Sequence, residues 1–432
     1  MDTSNNVQNP GGKYRWVVCG LLFFATTINY IDRQILSLLK PILDDQLKWT
    51  NTEFGYINSA FQAAYAIGLL IFGWFIDKYG TKIGYAVSIA AWSVAALGHA
   101  LVSSIGGFFV ARIALGLGEG GNFPSAIKAV ALWFPKKERA FATSIFNSGS
   151  NVGAIIAPAI VPFVALTWGW QAAFVMAGLA GFVWLLLWIP FYEVPEKSRR
   201  LKAAELDFIN SDRDDESNQE KVPWSKLLGY KETWGFVLAK FLTDPIWWFF
   251  LIWLPDFFKA TRHLDIKKSW VHLVTIYAII TVLSIAGGYL TGFLTKRSGW
   301  TITKARKTGM LLFALMVLPI YGVTFVSDWY AVLLIGIAGA AHQAWSANLF
   351  TTVSDTFPKK AIASVIGIGG MAGAIGGMIF PIVTGMLLDH FKLLGDVTQG
   401  YTWLFACCSV IYLLAFGINH LLAPKFEQVK IQ

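Results

Sequence analysis

Four charged residues lie deep inside two stretches that are mainly apolar. Arg112 and Glu119 interrupt FFVARIALGLGEGGNFPSAIKAVALWFP, and Asp32 and Arg33 interrupt VVCGLLFFATTINYIDRQILSLL. A charged side chain in a segment that could cross a bilayer is costly, so it marks a functional site by default. An arginine can bind a carboxylate through two parallel hydrogen bonds, and a partly buried carboxylic acid can take up and release a proton. The four residues are therefore candidates for anion binding and proton transfer.

The spacing of Arg112 and Glu119 places them on one helix face, with Asn122 and Phe123 following them on that face. On a regular helix they would stand about 10 Å apart along the axis, too far to satisfy each other. Each then needs a partner on another helix, and the first apolar segment supplies charges of both signs. These charges could form ion pairs that only hold helices together; we favour a functional site.

The composition predicts that the elements holding these residues are membrane spans. Of 432 residues, 55% are hydrophobic and 14% are charged, whereas a soluble domain has about 25% charged residues. The three cysteines, Cys19, Cys407 and Cys408, have neither metal-ligand spacing nor the pattern of a disulfide framework. We therefore expect a polytopic membrane protein with no metal site, no cofactor and no cleaved signal peptide.

A span needs about 20 apolar residues, and this rule divides the chain into twelve segments. They lie near residues 16–39, 53–77, 82–104, 105–134, 138–165, 168–192, 234–258, 269–294, 308–326, 328–357, 361–389 and 399–424. A strongly charged segment separates the sixth from the seventh. We predict an N-terminal six-helix bundle in 1–192, a cytoplasmic linker with one short surface helix in 193–233, and a C-terminal six-helix bundle in 234–432.

The distribution of positive charge predicts the orientation. Most of the 35 Lys and Arg residues lie in loops that share the side of both termini, and positive loops stay in the cytoplasm. Both termini are therefore expected to be cytoplasmic. The net charge of +9 then reflects topology and the lipid bilayer, so we expect no nucleic-acid partner.

Short matches between the two halves predict an internal repeat. FPKK occurs at 134–137 and at 357–360, and GWFIDKYGTK in the first half corresponds to GFLTKRSGWT in the second. Glycines also recur at four-residue spacing in the fifth and eleventh spans, a pattern that lets helices approach closely. Duplicated six-helix halves are typical of transporter folds.

These motifs resemble the major facilitator superfamily over nearly the whole chain. NYIDRQILS, ARIALGLGEGGNFPSAIKAVALWFP and FNSGSNVGAIIAP are similar to its anion:cation symporter family. FLTDPIWWFFLIWLP and GAAHQAWSANLFTTVSDTFP look most like bacterial hexuronate transporters. The resemblance implies an all-α fold of two pseudo-symmetric six-helix bundles, alternating access, and proton-coupled uptake of an organic anion across the inner membrane.

The resemblance also assigns residues. It implies proton coupling at Asp32 and Glu119 and substrate binding at Arg33 and Arg112. Further substrate-binding candidates come from cavity positions and from polar residues of spans five, seven and ten: Tyr30, Tyr65, Asn147, Lys240, Asp244, His342, Gln343, Ser346 and Asn348. Hydroxyl, amide and imidazole groups suit the many hydroxyls of a sugar acid. Charges that look like the family's cytoplasmic gate are Asp77, Lys78, Arg139, Lys296 and Arg297.

Three functions remain open at this point. We predict a monomeric symporter that imports galacturonate or glucuronate with protons. A second interpretation is another sugar acid, an aldonate such as galactonate or an aldarate such as glucarate, or a different organic anion. A more remote one is a membrane sensor that binds a sugar acid without carrying it. The sequence has no catalytic dyad, metal cluster or nucleotide-phosphate loop, so we do not predict an enzyme.

Overall fold

The computed structural model describes residues 12–211, 222–298 and 300–429. Within these ranges it contains α-helices and short 3-10 helices but no β-strand. The α-helices are α1 (Tyr14–Leu47), α2 (Asn51–Tyr79), α3 (Thr81–His99), α4 (Ile105–Glu119), α5 (Asn122–Trp133), α6 (Lys136–Trp168), α7 (Trp170–Phe191), α8 (Ala203–Asn210), α9 (Trp224–Leu227), α10 (Lys231–Arg262), α11 (Ile266–Ser298), α12 (Ile302–Val317), α13 (Asp328–Thr356), α14 (Lys359–Leu393) and α15 (Val397–Leu422).

The predicted all-α fold with twelve spans is confirmed. Ten spans are single helices, the fourth is divided into α4 and α5, and the ninth continues from α12 into a 3-10 helix at Leu318–Phe325. Nine stretches within the described residues are long and apolar enough to cross a membrane by themselves. Helices suit the interior of a lipid bilayer, because they satisfy their own backbone hydrogen bonds where no water is present. The two small helices α8 and α9 lie in the predicted linker.

The fourth span is not the regular helix on which the spacing argument rests. Gly120 and Gly121 interrupt it, although both keep right-handed helical dihedral angles. A Cβ atom on Gly120 would lie 2.6 Å from the Cα of Gly68 in α2, so the backbones touch there. Beyond the interruption Asn122 is 3% exposed and Phe123 is 43% exposed. The expected common face of Arg112, Glu119, Asn122 and Phe123 therefore stays a prediction, with Phe123 as its one exposed member.

The two FPKK motifs have the same local structure. Phe134 and Phe357 each end a helix in an extended conformation, and Pro135 and Pro358 each precede the first residue of the next helix. Proline suits that position because the first helical turn leaves backbone donors unpaired in any case. The repeat therefore marks equivalent helix boundaries before α6 and α14.

The predicted close packing at glycines is present. A Cβ on Gly153 of α6 would lie 2.6 Å from the carbonyl oxygen of Thr27 in α1. Similarly, a Cβ on Gly377 of α14 would lie 3.0 Å from the Trp248 ring in α10. Only residues without side chains allow helices to meet at such distances.

Contacts divide the described residues into two compact units. The first holds those up to Ile35, Ala64–Ala157, and those from Val164 into the linker. The second holds Leu36–Ala63, Pro158–Phe163, and the described residues from 222 onward, including the end of the predicted linker. The predicted bundles at 1–192 and 234–432 stay a prediction.

Candidate functional site

In the first unit, a buried ion pair joins two of the four charged residues of the apolar segments. The Nε atom of Arg33 on α1 donates to Oε2 of Glu119 on α4 at 2.6 Å, and the two side chains are 6% and 0% exposed. Burying charges costs several kcal/mol unless they are paired at good geometry. The pair therefore holds α1 against the last residue of α4.

Two tyrosines flank the guanidinium of Arg33. Its Cζ atom lies 5.1 Å from the ring centroid of Tyr30 and 4.4 Å from that of Tyr65. Aromatic rings at this range attract a cation through their negative faces. The structure thus brings the two predicted tyrosines to the predicted arginine.

The other two charges lie in the same cluster. Arg112 is 1% exposed and donates through Nη2 to the carbonyl oxygen of Arg33 at 3.2 Å. Asp32 lies within the electrostatic reach of Arg33, Arg112 and Glu119. Both of its carboxylate oxygens are buried and accept no hydrogen bond from any residue in the described part of the chain. This carboxyl group is therefore surrounded by charges of both signs but has no hydrogen-bond donor among the described residues.

The divided fourth span determines where this cluster stands. Glu119 is the last residue of α4, and Asn122 begins α5, where its Oδ1 accepts a 2.6 Å hydrogen bond from the hydroxyl of Tyr85 on α3. Tyr85 is fully buried. This bond secures the start of α5 directly beyond the acid. Asn147 on α6, another predicted binding residue, has an exposed side chain.

A second cluster lies in the second unit, on α10. Lys240 and Asp244 form the local ion pair predicted from their spacing, at 2.7 Å, with side chains 7% and 20% exposed. The Nζ atom of Lys240 also lies 4.4 Å from the centroid of the Phe350 ring. A largely buried ammonium held in this way could exchange its partner for a ligand carboxylate.

His342 on α13 is held between aromatic rings. Its Nδ1 is hydrogen-bonded to the Tyr412 hydroxyl at 2.6 Å, and its ring stacks on Trp247 with centroids 5.7 Å apart and planes 5° apart. Gln343 and Ser346, on the same helix, are partly exposed. They can therefore offer polar groups to a solute.

Asn348 does not join His342. Its Oδ1 accepts a 3.4 Å hydrogen bond from Arg306 on α12, which also pairs with Asp355 at 3.0 Å. Its Nδ2 donates to the carbonyl of Ala344. The polar groups predicted as one set on span ten thus divide into two environments.

The model of the Major Facilitator Superfamily matches residues 22–381. The chain belongs to the Major Facilitator Superfamily. It is 33% identical over 409 residues to the hexuronate transporter of Escherichia coli (strain K12), covering 93% of this chain and 92% of that protein. It is 31% identical over 312 residues to the galacturonate transporter of Dickeya chrysanthemi, covering 70% of this chain and 89% of that one.

Among solved structures, a bacterial homologue of the human lysosomal transporter Spinster, in an inward-facing and occupied conformation, has a TM-score of 0.77. The match covers 96% of this chain and 98% of that one at 16% identity, so it shows the fold alone. The predicted resemblance is confirmed. This major facilitator is a multi-pass membrane transporter and, as predicted, not an enzyme.

The predicted cytoplasmic gate of this major facilitator is only partly within the described residues. Asp77 pairs with Lys128 at 2.7 Å. Lys78 lies over the ring of Trp74, and Arg139 donates to backbone carbonyls at the end of α5. The side chains of Lys296 and Arg297 lie outside the described residues, so their predicted role stays untested.

Another ion pair in the first unit joins Lys82 and Glu193. Lys82 donates to Glu193 at 2.8 Å, and this hydrogen bond holds the pKa of the Glu193 carboxyl below its usual range. Glu193 follows α7 directly, so the pair ties α3 to the end of α7.

Some contact residues of this major facilitator escaped the sequence analysis. Lys128 was given no role, yet it is the ion partner of Asp77. Asn29, buried one helical turn from Arg33, lies beside Glu119. Tyr412 fixes His342 from α15. Asn29 and Lys128 stand near charged motifs and could have been predicted as contact residues. Tyr412 has no sequence signal, because its partner His342 is 70 residues away.

Proposed function

We propose that this major facilitator is a proton-coupled symporter that imports a hexuronate, galacturonate or glucuronate, by alternating access. The observation that carries the proposal is the buried Arg33–Glu119 ion pair, which lies beside Arg112 and Asp32. The similarity to a hexuronate transporter and a galacturonate transporter supports the substrate class. The coupling ion is H⁺, and no cofactor takes part.

The pair suggests how proton and substrate binding are linked. A proton that binds to Glu119 neutralises its carboxylate and removes the charge that holds Arg33 at 2.6 Å. Arg33 would then be a buried cation without its counter-ion, a state that costs about 3–5 kcal/mol. The carboxylate of the sugar acid can restore the balance by accepting the hydrogen bonds of Arg33. Protonation therefore promotes anion binding.

Release follows the same steps in reverse. When the site opens to the cytoplasm, loss of the proton from Glu119 restores the carboxylate that competes for Arg33. The substrate anion then leaves together with the proton. Asp32 is a second proton carrier in this proposal, because its buried carboxyl lies near Glu119, which favours the protonated form, and near Arg33 and Arg112, which favour the ionised form.

The remaining groups have supporting roles in the proposal. Arg112 anchors the substrate carboxylate together with Arg33. In the second unit, Lys240, Gln343 and Ser346 supply a cation and polar groups for sugar hydroxyls. The protein works as a monomer in the inner membrane, with both termini in the cytoplasm. If more protons than substrate charges enter, the membrane potential contributes about 2.3 kcal/mol per net charge per 100 mV.

Uptake by the purified protein in proteoliposomes tests the proposal. With an alkaline interior, labelled galacturonate should accumulate, and a protonophore should abolish accumulation. An imposed Na⁺ gradient without a pH gradient should have no effect. Unlabelled glucuronate should compete strongly, whereas galactonate and glucarate should compete weakly.

Two outcomes would contradict the proposal in different ways. If neither hexuronate accumulates, or the pH gradient has no influence, the proton–hexuronate symport mechanism is wrong. If galactonate or glucarate competes better than glucuronate, the transport mechanism stands but the substrate belongs to another class of sugar acid.

A further inference from the structure

The segment that joins α7 to α8 in the first unit carries a cluster of positive charge. Residues 195–202 read PEKSRRLK, in which one acid stands against four cations: Lys197, Arg199, Arg200 and Lys202. All four cations are exposed, and within the described residues none of them forms an ion pair. A cluster of this size directly after a membrane span is typical of segments that bind anionic lipid headgroups.

Two ion pairs fix the ends of this segment. Glu193, directly after α7, pairs with Lys82 at 2.8 Å. Glu205 on α8 pairs with Arg15 at 3.0 Å, and its side chain is 1% exposed. Between the two acids, backbone hydrogen bonds of 3.0–3.4 Å form short turns. The segment is therefore ordered before any ligand binds, so binding requires little further loss of conformational entropy.

Arg200 lies against the end of α7. Its Cζ atom is 4.2 Å from the centroid of the Phe191 ring, and its Nη1 donates to the hydroxyl of Tyr14 at 3.4 Å. That hydroxyl donates in turn to the carbonyl of Phe191 at 2.5 Å. A guanidinium on an aromatic ring keeps its charge and its other N–H donors. Arg200 thus presents a positive charge exactly where the span ends.

An exposed apolar stripe on α7 leads to this charge. Leu179, Val183, Leu187 and Phe191 recur at four-residue spacing and therefore share one face of the helix. They are 52%, 58%, 46% and 39% exposed. On a membrane span, exposed apolar side chains of this kind contact lipid acyl chains. The stripe ends at the ring that carries Arg200, so apolar surface and positive charge are continuous.

We propose that the α7 stripe, together with Lys197 and Arg200, binds an anionic phospholipid such as phosphatidylglycerol. We call this surface the lipid site. One acyl chain lies along the stripe, and the headgroup phosphate accepts hydrogen bonds from Arg200. The planar guanidinium suits a phosphate because it can donate two parallel hydrogen bonds. Since Arg200 also contacts Tyr14 at the start of α1, a bound headgroup holds α1 against the end of α7.

Native mass spectrometry of the purified full-length protein in detergent tests the lipid site. Phosphatidylglycerol should bind at least about tenfold more tightly than phosphatidylcholine, whose headgroup is zwitterionic. Lys197→Gln combined with Arg200→Gln should weaken phosphatidylglycerol binding about 20- to 30-fold, because each cation near an anionic headgroup contributes a factor of about five. Phosphatidylcholine binding should not change.

Lys267→Gln combined with Lys268→Gln is the matched control. It also removes two exposed cations next to a span, at the start of α11, and should bind phosphatidylglycerol like the parent. Inorganic phosphate at the same concentration as the lipid should not displace it, because phosphate cannot contact the stripe. A phosphatidylglycerol with short acyl chains should bind more weakly than the long-chain lipid for the same reason.

Three results would overturn the lipid site. Equal affinity of the parent protein for phosphatidylglycerol and phosphatidylcholine would show that the headgroup charge is not recognised. Equal losses in the two double variants would show a general attraction to positive charge. Displacement by inorganic phosphate would show a site for free anions. The lipid comparisons use the parent protein, so they decide the question even if a variant does not fold, and no transported solute is present.

Discussion

The Nε atom of Arg33 and the Oε2 atom of Glu119 are 2.6 Å apart, and neither side chain is more than 6% exposed. The acid that can carry a proton is therefore the direct counter-ion of an arginine that can bind a carboxylate. Arg112 donates a hydrogen bond to the backbone carbonyl of Arg33. In the proposed mechanism, proton binding at Glu119, anion binding and the position of α1 are therefore linked through Arg33.

Glu119→Gln should separate the two halves of the transport reaction. Glutamine keeps the size of the side chain but carries no charge and no titratable proton, so Arg33 permanently loses its counter-ion. We expect uptake driven by a pH gradient to fall to the level of empty liposomes. Exchange of labelled for unlabelled galacturonate should continue, and both are measured in the same proteoliposomes.

Glu427→Gln is the matched control for this substitution. Glu427 lies after α15, and its side chain is 76% exposed, so the same chemical change should leave both activities intact. Gradient-driven accumulation by Glu119→Gln would reduce the ion pair to a structural contact.

Arg112→Ala should weaken substrate binding itself. A hydrogen bond to a charged group is worth about 1.5–3 kcal/mol, so the dissociation constant for galacturonate should rise about ten- to a hundredfold. Isothermal titration calorimetry in detergent measures this, with Arg199→Ala as control because Arg199 is exposed in the linker. Parent-like affinity in Arg112→Ala would remove Arg112 from the proposed substrate anchors.

Gly120→Ala should destabilise the protein. The added methyl group would lie 2.6 Å from backbone atoms of Gly68 and Leu69, which cannot move without shifting α2. Such overpacking costs about 1–3 kcal/mol, and the loss should appear as a lower midpoint temperature in gel filtration after heating.

Gly20→Ala provides the comparison. Nothing lies within 4 Å of a Cβ at Gly20, and alanine is favoured over glycine in a helix by about 1 kcal/mol. Its midpoint should be unchanged or higher. Equal midpoints for the two variants would show that α2 and the interruption of span four can separate at no cost.

Arg15→Ala should release the linker helix α8. Glu205 of α8 has a side chain that is 1% exposed, and it accepts bonds from the Arg15 guanidinium and from the first backbone N–H groups of α1. Leaving it without its cation costs about 3–5 kcal/mol. Arg15→Ala should therefore lower the midpoint temperature of thermal unfolding. Lys13→Ala, which changes an exposed neighbour, should leave that temperature unchanged.

The double variant Arg15→Ala with Glu205→Ala tests whether the unpaired carboxylate of Glu205 causes this loss of stability. Removing both partners also removes the unpaired buried charge. The double variant should therefore be more stable than Arg15→Ala alone. If the two losses simply add, the ion pair does not anchor α8.

The sequence alone was sufficient for the class of protein, the twelve spans and their family. The class and the spans depend on local properties, an apolar length of about 20 residues and helices that satisfy their own hydrogen bonds, whereas the family was indicated by the resemblance of short motifs. The short-range ion pair of Lys240 and Asp244 was predictable for the same reason, since both residues stand on one helix. Arg33, Arg112, Asp32 and Glu119 were recognisable because charges are costly in such segments.

Tertiary structure alone decided which partners these residues have. The pairing of Arg33 with Glu119, and of Lys40 with Asp256, depends on the depth and rotation of separate helices, which packing determines. The two glycines at the interruption are visible in the sequence, but their contact with the backbone of α2 is not. Sequence therefore determined which charges are buried in the bilayer, whereas the three-dimensional contacts decided which charge neutralises which.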